Sequence, residues 1–225
     1  HRGGRAHAPE NTMEAFRLAI RLGATGLESD VWCSADGTPV LHHDGKLGRR
    51  PMRRSISGLT DDHLPSSIPT VEELLAELDH SVPLSLDVKD PQAAALTVDL
   101  MNSAGNSGAS QLWLCHPDHT LLASWRDLDP HLKLVHSTRV DKTTTSLERH
   151  AVELVAAGID AINLPEAEWS RGLVALFSRL GLRCLGWDAQ HQRQIHRLLR
   201  MGLDGIYGDH VDRLVEGIQT MRPGD

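Results

Sequence analysis

Short apolar runs alternate with amphipathic stretches along almost the whole chain, and this alternation limits the possible folds more than any other feature. The strand-like runs are 26–31, 84–88, 111–115, 132–136, 161–164, 183–187 and 205–207. Several are nearly continuous apolar segments bounded by Gly, Pro or Asp, as expected of strands covered on both faces. Helical periodicity fills the gaps at 11–22, 70–78, 92–104, 119–126, 146–157, 170–180, 190–201 and 211–221. Asn11 with Glu14, and Thr70 with Glu73, read as capping pairs, and Gly23, Gly158, Gly181 and Gly202 stand where helix C-termini want a left-handed residue. Strand–helix units recurring at regular spacing from residue 84 imply parallel pairing through right-handed crossovers. The fold class is therefore α/β, a (β/α)8 TIM barrel. Seven strands are visible, so the first is expected immediately upstream of His1. An open doubly wound sheet is the runner-up, but the chain has no glycine-rich nucleotide turn to support it.

One segment interrupts the alternation. Residues 28–44 read E-S-D-V-W-C-S-A-D-G-T-P-V-L-H-H-D, and Asp36-Gly37 between apolar runs signals a short β-hairpin. A turn centred between Ala35 and Asp36 pairs Glu28 with His43 and Asp30 with Leu41, placing Glu28, Asp30 and His43 on one face of the ribbon. Residues 44–69, rich in Gly, Pro and Arg, read as a loop insertion after the second strand. The chain is read as a single domain, 1–225.

Composition excludes several functions. Lys+Arg is 23 and Asp+Glu 30, a net charge of −7. Phosphate backbones are held by clustered cations, so nucleic acid is not an expected partner. No apolar run reaches the roughly 18 residues of a membrane span. Cys33, Cys115 and Cys184 suit buried small hydrophobes in a reducing compartment, which points to the cytoplasm. Arg49, Arg50, Arg53 and Arg54 cluster in the insertion, either to steer an anionic substrate or as a plain solvated loop.

In a barrel, reacting groups sit where strands run into their following loops. Glu28 and Asp30 lie at one such exit, Asp87 and Lys89 at the next, and His1 and Arg2 where the first strand would end. Three converging carboxylates repel one another. Either a hard divalent cation gathers them, Mg²⁺ or Ca²⁺, or they pair with Arg2 and Lys89. His1 and His43 flank the cluster, and imidazole is suited to proton transfer near neutral pH.

The motifs H-R-G at 1–3, P-E-N-T at 9–12, G-L-E-S-D-V at 26–31, D-G-T-P-V-L-H-H-D at 36–44, L-D-V-K at 86–89, I-P-T-V-E-E at 68–73, G-L-R-C-L-G-W at 181–187 and D-G-I-Y-G-D at 204–209 occur in order across the chain. This ordered set resembles the glycerophosphodiester phosphodiesterase family. The resemblance implies a TIM barrel and a small-molecule glycerophosphodiester substrate, hydrolysed to glycerol 3-phosphate and an alcohol with a bound Ca²⁺ or Mg²⁺. It implies Glu28, Asp30 and Asp87 as metal ligands and His1 and His43 as the acid/base pair. Arg2 and Lys89 match phosphate-binding positions, and Trp187 a pocket-lining aromatic. Asp87 stands where the family usually has Glu, His116 where Phe is common, and W-D-A-Q where W-T-V-N is usual. A lysophospholipase D acting through the same site and a non-catalytic phosphate-ester-binding barrel are the alternatives.

Overall fold

The computed structural model describes residues 1–49, 51–78, 82–104 and 108–221. Helix α1 (Met13–Arg21) leads into strand β1 (Leu27–Cys33), followed by β2 (Pro39–Leu41), the short strands β3 (Lys46–Leu47) and β4 (Arg54–Ser55), and α2 (Val71–Glu77). Strands and helices then alternate: β5 (Leu84–Val88), α3 (Gln92–Ser103), β6 (Leu112–His116), α4 (His119–Ser124), β7 (Lys133–Ser137), α5 (Leu147–Ala156), β8 (Ala161–Pro165), α6 (Arg171–Arg179), β9 (Arg183–Trp187), α7 (Gln192–Met201), β10 (Gly205–Ile206) and α8 (Val211–Met221). All seven predicted strands and all eight predicted helices are present, with ends shifted by a few residues at most.

Eight strands form one sheet in the order β10-β9-β8-β7-β6-β5-β1-β2. Every pairing from β1 through β10 is parallel, and β2 alone runs antiparallel. The sheet curls until Tyr207, just past β10, brings its hydroxyl to 3.0 Å from Ser85 Oγ on β5. Cys115, Val135, Ala161 and Leu185 fill the inside with Trp113 and Tyr207. Alternate residues, among them Leu84, Leu86, Leu114 and Leu134, face outward onto Phe16, Leu122, Leu154 and Phe177 of the helices. This is the layering of a TIM barrel, set by the period-two alternation of each strand.

Between β1 and β10 runs an apolar groove of about 290 Å³, lined by Ala19, Leu27, Leu203, Ile206, Val211 and Leu214 among others. At the mouth, residues 1 and 2 span it. The His1 main-chain nitrogen donates to Gly208 O at 3.0 Å, and the Arg2 N–H to Glu28 Oε2 at 2.8 Å. Gly3 continues this crossing at φ +75°, where a Cβ would lie 2.8 Å from the Phe16 ring, so only glycine passes there. Among the described residues no helix is long and apolar enough to cross a membrane. The three cysteines are buried and free.

Two local expectations are corrected. Helix α1 is capped by Thr12, whose hydroxyl accepts from Ala15 N at 3.2 Å, rather than by Asn11. Asn11 adopts φ +53° and its amide serves β1 instead, accepting from Ser29 Oγ at 2.8 Å. The hairpin register is also one residue off the expected one. Val31 pairs with Leu41 and Cys33 with Pro39, because Ser34 closes a three-residue loop in which Gly37 takes φ +88°. A three-residue loop moves every cross-strand partner by one.

His136 and His150 are buried together between β7 and α5. The His136 Nε2–H donates to Pro117 O at 2.9 Å, and Nδ1 accepts from His150 Nε2 at 3.2 Å, an arrangement that requires His136 to be neutral. Burial, with the nearby His150 and His119, pushes His136 down to about 4. The unfolded chain therefore binds this proton near pH 6.5 and the folded one does not, so stability is full above pH 6.5 and is lost as pH falls toward 4. A His136→Leu variant should show a flatter fall in urea midpoint between about pH 7 and pH 5 than the wild type; equal slopes would contradict this role.

Candidate active site

Glu28 and Asp30 alternate with Leu27, Ser29 and Val31 on β1, so that both carboxylates point into the barrel. On β5, Ser85 and Asp87 do the same. The parallel register sets Glu28 beside Ser85 and Asp30 beside Asp87. One carboxylate oxygen from each of Glu28, Asp30 and Asp87 lies within 4.8 Å of the other two. Glu28 and Asp30 are almost fully buried.

The cations around this trio are few. Lys89 Nζ stands 3.1 Å from Asp30 Oδ1 and 3.1 Å from Asp87 Oδ2. Burial works against the Lys89 charge, but Asp87 and Asp30 outweigh it and raise its pKa. Arg2, held at φ +51°, brings Nε to 3.4 Å from Asp30 Oδ2 while NH1 reaches Glu10 at 3.0 Å. The Nε itself is buried without a hydrogen bond. This is insufficient neutralisation. Burial, then repulsion from Asp30 and Asp87, pushes Glu28 up to about 7, and burial likewise raises Asp87. Three carboxylates so placed could hold a metal ion, and an all-oxygen donor set suits a hard one. Asp87, with its shorter side chain, still reaches the cluster.

His1 is fixed from behind. Its Nδ1–H donates to Asp209 Oδ1 at 2.6 Å, leaving Nε2 3.9 Å from Glu28 Oε2. Burial works to lower the ring, but the Asp209 hydrogen bond and the Glu28 charge raise it above its ordinary value. Asp209 is itself anchored by Arg5 Nε at 2.8 Å and Gln190 Nε2 at 2.9 Å. Burial would raise it, yet the hydrogen bonds from His1 and Arg5 bring it down to about 2. Sequence reasoning does not single out Asp209 as a site residue. Its place directly after the last strand, in D-G-I-Y-G-D, is the available signal.

His43 lies beyond the β2 ladder, half-exposed, with Nδ1 2.8 Å from Asp44 Oδ1. Its main-chain oxygen accepts from Trp32 Nε1 at 3.4 Å. The paired residues of the ribbon end at Leu41, so His43 is placed by the turn after β2 and not by the expected pairing with Glu28. Trp187 closes the other side of the mouth, at the end of β9, with the Arg139 guanidinium 4.9 Å above its ring. His116 turns away from the mouth: Nδ1 accepts from Asp118 N at 3.0 Å and the ring packs against Trp125. The insertion carries the β3–β4 hairpin and the buried Ile56 and Leu59. Arg53 pairs with Asp44 at 3.5 Å, and Arg50 lies outside the described residues.

The profile of the glycerophosphoryl diester phosphodiesterase family matches residues 1–213. The chain belongs to this family. The family member from Bacillus altitudinis, a glycerophosphodiester phosphodiesterase, is 24% identical over 99% of this chain and 98% of its own. Among solved structures, the Thermotoga maritima glycerophosphodiester phosphodiesterase superposes with a TM-score of 0.82 at 24% identity, covering 96% of this chain and 95% of the other. The Oleispira antarctica phosphodiesterase, solved with the product sn-glycerol-3-phosphate, gives 0.84 at 21% identity over 97% and 95%. In this glycerophosphoryl diester phosphodiesterase family member, replacing Asp209 by Asn removes the carboxylate whose hydrogen bond raises the pKa of the His1 ring. The His1 pKa should fall in an NMR titration of the imidazole protons, and an unchanged or higher value would contradict the assignment.

Proposed function

We propose that this chain hydrolyses glycerophosphodiesters to glycerol 3-phosphate and an alcohol, with a divalent cation held by Glu28, Asp30 and Asp87. The observation that carries this reading is the buried carboxylate trio, short of positive charge, flanked by His1 on Asp209 and by Lys89 and Arg2. When bound, Mg²⁺ or Ca²⁺ supplies Lewis-acid charge opposite the phosphate oxygens. Arg2 and Lys89 offset the charge that develops on the non-bridging oxygens as the nucleophile attacks. The Arg2 Nε is buried 3.4 Å from Asp30 Oδ2, which holds the guanidinium beside the trio.

His1 suits the general acid. Its raised pKa keeps it protonated closer to neutral pH, Asp209 fixes the tautomer, and Nε2 is the free nitrogen from which a proton passes to the departing alkoxide. His43 is left as the base that takes the proton from the nucleophile, with Asp44 orienting its ring. Residues 1–225 act as one catalytic domain. A strand laid in the groove between β1 and β10 would complete eight parallel strands.

The mouth supports a small polar alcohol over an acyl chain. Beside Trp187 opens a cavity of about 540 Å³ lined by His119, Ser137, Arg139, Lys142, Thr144 and Glu153 among others. A lysophospholipid tail calls for an unbroken apolar wall, and here Arg139, Lys142 and Glu153 interrupt the apolar surface of Pro117 and Trp187. The Oleispira antarctica complex with sn-glycerol-3-phosphate is consistent with a phosphate ester of this size.

Exhaustive chelation should abolish turnover of glycerophosphocholine, and Mg²⁺ or Ca²⁺ should restore it; activity that survives chelation discards the metal reading. His43→Ala should lower kcat by about 10²- to 10⁴-fold with the fold intact by circular dichroism. Wild-type turnover in that variant would refute the role of His43. In a panel running from glycerophosphocholine to lysophosphatidylcholine, the small substrates should give the higher kcat/KM, and the reverse order would favour a lysophospholipase D.

A further inference from the structure

A second group of metal-ligating side chains lies outside the carboxylate trio. His7, from the loop before α1, and His210 and Asp212, from the start of α8, each place one ligand atom within 4.8 Å of the other two. His7 Nε2 is 3.0 Å from Asp212 Oδ1. The His7 and His210 rings stand edge to face, with centroids 6.0 Å apart. An ion pair between His7 and Asp212 accounts for two members but not the third. Among the described residues, no side-chain hydrogen bond engages the His210 ring, and one of its nitrogens lies within 4.8 Å of a ligand atom of each of the other two groups.

The other histidine cluster differs in a decisive way. His119, His136 and His150 also pack ring against ring, but both nitrogens of His136 are already committed, to Pro117 O and to His150. In the His7 cluster only the His7–Asp212 pair is hydrogen-bonded through side chains among the described residues, and the cluster is open to solvent, so a cation can displace that one proton. Its members come from opposite ends of the chain. The Ala6 N–H donates to Asp209 O at 3.3 Å, so the loop is already stitched to the turn that leads into α8.

We propose that His7, His210 and Asp212 form a second cation site, for a borderline transition metal with Zn²⁺ foremost, that fastens the loop after His1 to the start of α8. Two imidazole nitrogens and one carboxylate oxygen, with water as the fourth ligand, make a donor set that suits tetrahedral Zn²⁺ and does not suit Mg²⁺ or Ca²⁺. The carboxylate trio, all oxygen, has the opposite preference. The two sites are therefore separable by the metal used. The fastened turn contains Asp209, so occupancy braces the support of the His1 ring from behind without touching the reacting groups.

The test is a titration of the full chain with Zn²⁺ alone, and in parallel Co²⁺ alone, in a large excess of Mg²⁺ that keeps the oxygen site filled. The expected result has three parts: one equivalent of Zn²⁺ bound by calorimetry, a tetrahedral Co²⁺ absorption band in the visible, and a rise in Tm with Zn²⁺, as a ligand of the folded state alone must give. In His7→Ala and in His210→Ala, Zn²⁺ affinity should drop by about tenfold or more and the cobalt band should disappear. Both positions are at least partly open to solvent, and circular dichroism checks that the variants fold. In Asp30→Asn the band should persist. Zn²⁺ binding that is unchanged in both histidine variants, that is lost in Asp30→Asn, or that is removed by His136→Leu would overturn the proposal. Failure to hydrolyse any glycerophosphodiester would bear on the catalytic reading and leave this binding result standing.

Discussion

Everything at the mouth of this barrel depends on one electrostatic constraint. Three carboxylates are forced together in a buried place by the parallel register of β1 and β5, and their mutual repulsion must be compensated. Asp30 and Asp87 sit side by side on neighbouring strands, and Glu28 is one pleat below Asp30 on the same face. A backbone that places such groups within reach of one another stores electrostatic cost in the folded state, and buried carboxylates without enough positive charge protonate instead. The rise of Glu28 to about 7 expresses that tendency. Lys89 and Arg2 offset part of the repulsion, and we propose that a divalent cation offsets the rest.

The scaffold makes this arrangement precise by being redundant elsewhere. The outward faces of the strands are packed by Leu and Val against the helices, so the strands cannot shift register without exposing a full apolar face. The inward faces are then free to carry polar groups. The crossing formed by His1, Arg2 and Gly3 brings three further groups to the rim: an imidazole fixed by Asp209, a guanidinium at positive φ, and a glycine without a Cβ to clash with Phe16. Residues in sparsely populated backbone regions persist only where surrounding contacts over-determine them, and they gather at functional sites.

Much of this is legible in the sequence because it depends on local periodicity. Period-two and period-3.6 patterns locate each strand and helix, and strand ends locate Glu28, Asp30, Asp87 and Lys89. The less legible features depend on distances between remote segments or on the detail of one turn. Asp36-Gly37 announces a hairpin, but whether its loop holds two or three residues turns on Ser34 closing it, and that choice moves every partner of β1 by one. Asn11 has the composition of a helix cap, yet Ser29 from β1 competes for its amide. Asp209 stands at the far end of the chain from His1, and only barrel closure brings the two together. The neutral His136–His150 pair carries no sequence signal, since neither spacing nor composition shows which histidines a fold will bury together.

The central claim is that the carboxylate trio gathers a cation rather than resting on Lys89 and Arg2 alone. Anomalous diffraction from crystals grown with Mn²⁺, a hard ion that can stand in for Mg²⁺, tests it directly. The account predicts a peak bounded by oxygens of Glu28, Asp30 and Asp87, with the Lys89 ammonium displaced toward the phosphate side. Carboxylates that remain paired to Lys89 and Arg2, with the manganese peak elsewhere, would contradict it.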